Sequence, residues 1–196
     1  MQNVWLSLSA VGDSRWLLPM ALVLLCALPR SDARLKWRWL TAIAVTASVT
    51  LASKLAFMGW GIGIERLHFT GFSGHAAMSS AIYPVVGALL GGSGRHARVI
   101  GLLSGCLLAF AIAWTRIPLH AHSLSEILAG LALGLGCSTW TLSTAPPAKR
   151  PAVATLLAAV LIGMILPLSL PHLPTHQVVI ALAKALSGRT EVFDQF

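Results

Sequence analysis

Charge is the scarce commodity in this chain: six Asp and Glu stand against 14 Lys and Arg among 196 residues. Charged residues make up 10% of the total, where soluble domains carry roughly 25%. That is too few to cover a water-facing surface, which excludes a soluble globular domain. With 56% hydrophobic residues and a mean hydropathy of +0.78, lipid is the solvent for most side chains. Cysteine is scarce too. Cys26, Cys106 and Cys137 lie one apiece in apolar runs without CxxC spacing, which argues against a disulfide framework or a zinc site and leaves them as small core-packing residues. No internal repeat or low-complexity segment is visible. No small-residue cleavage site cleanly follows the first apolar run, and the first fifteen residues contain Asp13 and Arg15, so a cleaved signal peptide is not expected.

What is there is a series of apolar runs. Crossing the hydrocarbon core takes about 20 apolar residues in a helix, and six runs qualify: 14–29, 39–60, 73–92, 98–115, 123–143 and 151–170. The expected architecture is all-α, a polytopic bundle of about six transmembrane helices forming one domain over 1–196, with 171–196 an interfacial helix or tail. Trp16, Trp37, Trp39, Trp60, Trp114 and Trp140 fall near span ends, where indole favours the interface. The net charge of +8 does not point to nucleic acid, because the basic residues form short clusters between spans and no continuous basic face. Arg30, Arg34, Lys36, Arg38, Arg95, Arg98, Lys149 and Arg150, eight of the fourteen, follow spans one, three and five. Those loops are therefore expected to be cytoplasmic, with the loops after spans two and four facing the periplasm or exterior of a bacterial plasma membrane.

The outward loops are where the unusual polar residues collect. Ionisable groups within a membrane-spanning segment are costly and are by default functional. Lys54, Glu65, Arg66, His68, His75, Arg116, His120, His122 and Glu126 all fall in the outer half. In Thr70-Gly-Phe-Ser-Gly-His75, Ser73 is a candidate N-cap and Gly74 allows close backbone approach. The free amides of that helix start suit an anion such as phosphate, and His75 would stand beside it; a plain capped helix with a surface His reads the same residues. In Thr115-Arg-Ile-Pro-Leu-His-Ala-His-Ser-Leu-Ser-Glu126, His122 and Glu126 are four apart and share a helical face. A carboxylate there fixes the imidazole tautomer and frees the other nitrogen to attack, although such pairs also occur as ordinary helix-end hydrogen bonds. Arg116 offers a planar fork for phosphate oxygens, and Pro118 breaks the helix between them. His68 and His120 read as loop residues near the pocket.

These motifs, in order, resemble those of the type 2 phosphatidic acid phosphatase family of the vanadium haloperoxidase superfamily. Ser73-Gly74-His75 matches its Pro-Ser-Gly-His motif, with Phe72 in place of the Pro. Arg116, His122 and Glu126 match the spacing of Ser-Arg, five residues, His, three residues, Asp, with Thr115 for Ser and Glu for Asp. Lys54 stands where the first motif begins, but Gly61 occupies the position of its Arg, for which Arg66 is a candidate substitute. The resemblance covers about residues 54–130. It implies a membrane-bound lipid phosphatase in which His122 attacks phosphorus, Glu126 holds the ring, and His75 protonates the leaving oxygen and then activates water. Lys54, Arg116, Arg66 and the Ser73 and Gly74 amides would bind the phosphate. It implies no metal and no cofactor, in keeping with Glu65 and Glu126 as the only acids near the site. The implied partner is a lipid phosphate such as phosphatidic acid, phosphatidylglycerophosphate or undecaprenyl pyrophosphate, the last ranked first. A lipid phosphotransferase and a catalytically inactive family member remain as alternatives; a haem-binding bundle would need His pairs deep within spans, and every His here is near a span end or outside.

Overall fold

The computed structural model describes residues 2–92, 94–143, 152–169 and 175–194. Within them lie eight α-helices and no strand: α1 (Gln2–Ala10), α2 (Ser14–Ala27), α3 (Ala33–Trp60), α4 (Gly74–Gly91), α5 (Arg95–Trp114), α6 (Leu124–Ser143), α7 (Val153–Ser169) and α8 (Thr175–Ser187). The expected all-α bundle is the architecture found, and the six runs correspond to α2 through α7. One helix was not anticipated, and one begins earlier than its run. α1 is too short and too rich in Ser to register as a span, and α3 starts six residues before its apolar run because Arg34, Lys36 and Arg38 are helical. By length and apolar content, three segments of the described residues can cross a membrane, namely Gln2–Ala27, Arg30–Trp60 and Arg95–Trp114. α4 and α6 carry polar site residues in their first turns and lie against other helices, so they need fewer apolar side chains than a helix facing lipid.

α4 is the centre. Thirteen of its eighteen residues are buried, because α5 and α6 approach it on small residues. Gly87 and Gly91 of α4 face Gly101 and Ala97 of α5; a Cβ on Gly101 would collide with the Gly87 carbonyl, and one on Gly87 with the Gly101 carbonyl. Gly130 and Gly134 of α6 approach the Ser73 and Ala77 carbonyls, where a Cβ would stand 2.8 Å from the first and closer still to the second. Without a hydrophobic drive between helices in lipid, such small-residue seams supply the packing. Gly101→Ala is accordingly expected to lower stability by about 1–3 kcal/mol, read as a fall in thermal unfolding temperature in detergent. Gly136→Ala, where a Cβ meets nothing within 4 Å, is the matched substitution that should change little.

The main apolar core joins α2, the first half of α3, α4 and α7, and includes Leu17, Leu24, Trp39, Ile43, Ile82 and Val85. Trp39 is fully buried there, a correction to its expected place at the interface: it faces α2 and α4, whereas Trp37, two residues earlier, points outward and is 69% exposed. The cysteines are a second correction. None is buried; Cys26 is exposed and Cys106 and Cys137 are half-buried. At the end of the bundle bearing the basic clusters, the Arg38 guanidinium donates to the Trp140 carbonyl (2.8 Å) and lies 4.8 Å from its ring centroid, tying α3 to α6.

Candidate active site

The chemistry begins at the first turn of α6. Ser123 precedes the helix, and its Oγ accepts from the Glu126 amide at 3.3 Å while Glu126 Oε2 accepts from the Ser123 amide at 3.2 Å. This reciprocal pair is a capping box, which satisfies two amides left open at a helix start. The same Oε2 lies 2.7 Å from His122 Nδ1. An ionised carboxylate only accepts, so Nδ1 carries the hydrogen and Nε2 keeps its lone pair. Glu126 Oε1 accepts from both the amide of Thr70 (2.8 Å) and its hydroxyl. Glu126 is thus 2% exposed with four donors on its two oxygens. Burial on this scale is tolerable for a carboxylate only with such partners.

Thr70 reaches Glu126 because the α3–α4 loop folds back on itself. A bridge between Ile64 and Phe69, a turn over Glu65–Leu67 and His68 in the left-handed region (φ 46°) reverse the chain. The Ser125 hydroxyl donates to the Leu67 carbonyl at 2.7 Å, and Ser53 Oγ accepts the Phe72 amide at 3.1 Å. Thr70 was missed from the sequence because nothing about a loop threonine announces a partner 56 residues away.

Beside His122 opens a cavity of about 580 Å³ whose wall includes Lys54 from α3, Thr70 and Gly71 from the loop, and Arg116 and His122 from the α5–α6 connection. Three of the expected residues therefore meet at one hollow. Arg116 is steadied from an unexpected direction: its Nη1 donates to Ser9 Oγ of α1 at 2.6 Å, and its Nε is buried with no protein partner. Burial lowers the guanidinium pKa, and the nearby Asp13 carboxylate works against that.

The start of α4 departs in part from expectation. Ser73 holds the N-cap position, but its hydroxyl makes no capping bond and is buried without a partner. Its amide donates to the Glu126 carbonyl at 3.1 Å, so it is not free for an anion; Gly74 carries the next amide. Gly74 and Lys54 line a smaller cavity of about 260 Å³, so Lys54 belongs to both hollows. His75 does not form the wall of the larger one. It packs against the α1–α2 turn, where a Cβ on Gly12 would stand 3.3 Å from His75 Cδ2, and it lies within electrostatic reach of Arg116, Asp13, His122 and Lys54.

Arg66 is exposed in the Glu65–Leu67 turn and is absent from the wall of the large cavity, so the structure does not bring it to the other cations. Glu65 is exposed in the same turn, and the acids near the site besides Glu126 are instead Asp13 and Asp194. His68 and His120, both at positive φ, line a third cavity of about 380 Å³ with Thr70, His122 and Glu126, which fits loop residues close to the site.

The arrangement of cation pair, oriented imidazole and helix start coincides with a match to the model of the PAP2 superfamily over residues 37–150. The chain belongs to the PAP2 superfamily. The match runs from α3 through α6 and so takes in Lys54, Ser73, Gly74, His75, Arg116, His122 and Glu126. This PAP2 member is also 43% identical over 135 residues to an uncharacterized 22.5 kDa protein in the cps region of Klebsiella pneumoniae, covering 66% of the present chain and 64% of that relative's length. No solved structure matches it.

Proposed function

We propose that the protein is a membrane-bound lipid phosphatase that transfers a phosphoryl group to His122 and then to water. The observation that carries this reading is the 2.7 Å pairing of His122 Nδ1 with Glu126 Oε2 in a residue that also walls a cavity shared with Lys54 and Arg116. Nε2 attacks phosphorus, the P–N bond forms and the ester P–O bond breaks. The leaving oxygen takes a proton from His75, which then removes one from the water that cleaves the phosphohistidine. Lys54, Arg116 and the Gly74 amide stabilise charge on the phosphoryl oxygens, the main help a protein gives phosphoryl transfer. Arg66 is left out of this set because of its exposed position.

The substrate is a lipid bearing a phosphomonoester or diphosphate, presented from the outer leaflet of a bacterial plasma membrane. The orientation rests on the basic loops after α2, α4 and α6, which puts the α3–α4 and α5–α6 loops outside. The test is phosphate release by purified protein across a panel of lipid phosphates. Release from at least one, insensitive to chelator, is expected, with His75→Ala losing poor leaving groups first. No release from any lipid, or radiolabelled phosphate passing to a second lipid and not to water, would overturn hydrolysis.

A further inference from the structure

The large cavity is completed by residues from beyond the region that matches the family. α8 packs on α3, with Ser187 and Ala183 beside Gly59. The chain then turns at Gly188 (φ 70°) and returns to the end of α3. Phe193 donates its amide to the Met58 carbonyl at 3.0 Å, one of the last four carbonyls of that helix and so in need of a donor. The Arg189 guanidinium lies 4.4 Å from the Phe193 ring centroid, and the ring covers Gly61, where a Cβ would stand 3.2 Å away. Gly61 is itself at φ 69°, so neither the backbone nor the space there suits a side chain. Together these contacts seat Phe193 and Asp194 in the wall of the cavity that Lys54, Arg116 and His122 share.

A carboxylate in that wall needs a reason. It can only accept hydrogen bonds, as can the oxygens of a phosphate, and like charges placed together discriminate strongly between ligands. Two cations, Lys54 and Arg116, share the wall with one carboxylate, that of the exposed Asp194, and the wall contains no third Lys or Arg; Arg189 lies over the Phe193 ring instead. The two cations together match one phosphate group of about −1.5 to −2 charge. A second phosphate on the same ligand would meet Asp194 with nothing left to neutralise it.

We infer that Asp194 is a specificity-determining residue that restricts the cavity to a single phosphate group, favouring lipid phosphomonoesters over lipid diphosphates. The inference rests on the lipid phosphatase reading and narrows it, placing a polyprenyl diphosphate below a monophosphate of the same chain. The segment after α8 thereby acts as the selective wall of a site whose reacting groups all lie between α3 and α6.

The test uses the full chain purified in detergent, as wild type, Asp194→Asn and Asp194→Glu. Phosphate release is measured from a lipid monophosphate and a lipid diphosphate with identical hydrocarbon chains. In parallel, calorimetry measures the binding of inorganic phosphate and inorganic pyrophosphate. The wild type is expected to favour the monophosphate, Asp194→Asn to raise kcat/KM for the diphosphate relative to the monophosphate by about tenfold or more, and Asp194→Glu to retain the preference. Asp194→Asn should likewise tighten pyrophosphate more than phosphate. An unchanged ratio in Asp194→Asn in both assays, or a wild type that favours the diphosphate, overturns the inference. Asp194-dependent binding without phosphate release from any lipid would instead support the charge filter while rejecting the phosphatase reading.

Discussion

His122→Ala is expected to reduce phosphate release by at least about 10³-fold, since it removes the attacking atom and not an accessory to it. The fold should survive. His122 lies in the connection between α5 and α6, and its ring makes one hydrogen bond, to Glu126 Oε2. The variant leaves Glu126 with Ser123 on that oxygen and Thr70 on the other. Initial rates on the most active lipid, beside thermal unfolding of the same preparation, check both halves of the expectation. A variant that unfolds with the wild type but turns over at a comparable rate would remove His122 from the mechanism.

Glu126→Gln should be almost as damaging, for a subtler reason. All four groups that approach the carboxylate are donors or, for His122, a donor in the reactive tautomer: the Thr70 amide and hydroxyl, the Ser123 amide and the His122 ring. A glutamine brings one oxygen and one NH₂; on the Thr70 side that NH₂ could meet the hydroxyl oxygen only by displacing the Thr70 amide from its acceptor, and on the other side the acceptor it meets is His122 Nδ1. The imidazole can accept it only by moving its own hydrogen to Nε2, which abolishes the nucleophile. A carboxylate-to-amide change that imposes the wrong tautomer costs on the order of 10⁴ in rate in the serine protease triad, and a similar loss is expected here with only a small change in stability. Glu126→Ala would add a second effect, because the capping box and the Thr70 anchor both disappear. Leaving those buried donors without a partner costs about 1–3 kcal/mol, measured as a fall in unfolding temperature absent from the His122 variant. Rates for the Gln variant within a few-fold of wild type would mean that Glu126 serves the fold alone.

The dual duty of Glu126 also explains why the site was legible in part. A His and a Glu four apart at the start of an apolar run are visible in any sequence, and so is the anion-friendly Ser-Gly-His at the start of another. The spans were legible because lipid demands about 20 apolar residues and leaves the loops to carry nearly all the charge. What was hidden depends on contacts between segments. Thr70, Ser9 and Asp13 reach the site from a folded loop, from α1 and from the α1–α2 turn, and Asp194 from the far end of the described chain. None has a neighbour in sequence that marks it. Trp39 and Trp37 differ only in which way the helix turns them, and an indole near a span end carries no record of that. That the glycines of α4, α5 and α6 face one another across two helix crossings and so draw Ser73 to Glu126 was not legible, because spacing within one run does not name the helix it packs on. The Ser73 amide was expected to be open to an anion, and only the register of α6 against α4 reveals that a carbonyl already occupies it.

The most direct measurement is rapid quenching of the protein with a lipid carrying labelled phosphate, followed by base-stable peptide mapping. The account predicts acid-labile label on the peptide containing His122, absent from His122→Ala and diminished in Glu126→Gln. Label on another residue, or turnover with no protein-bound phosphate at any quench time, would contradict it.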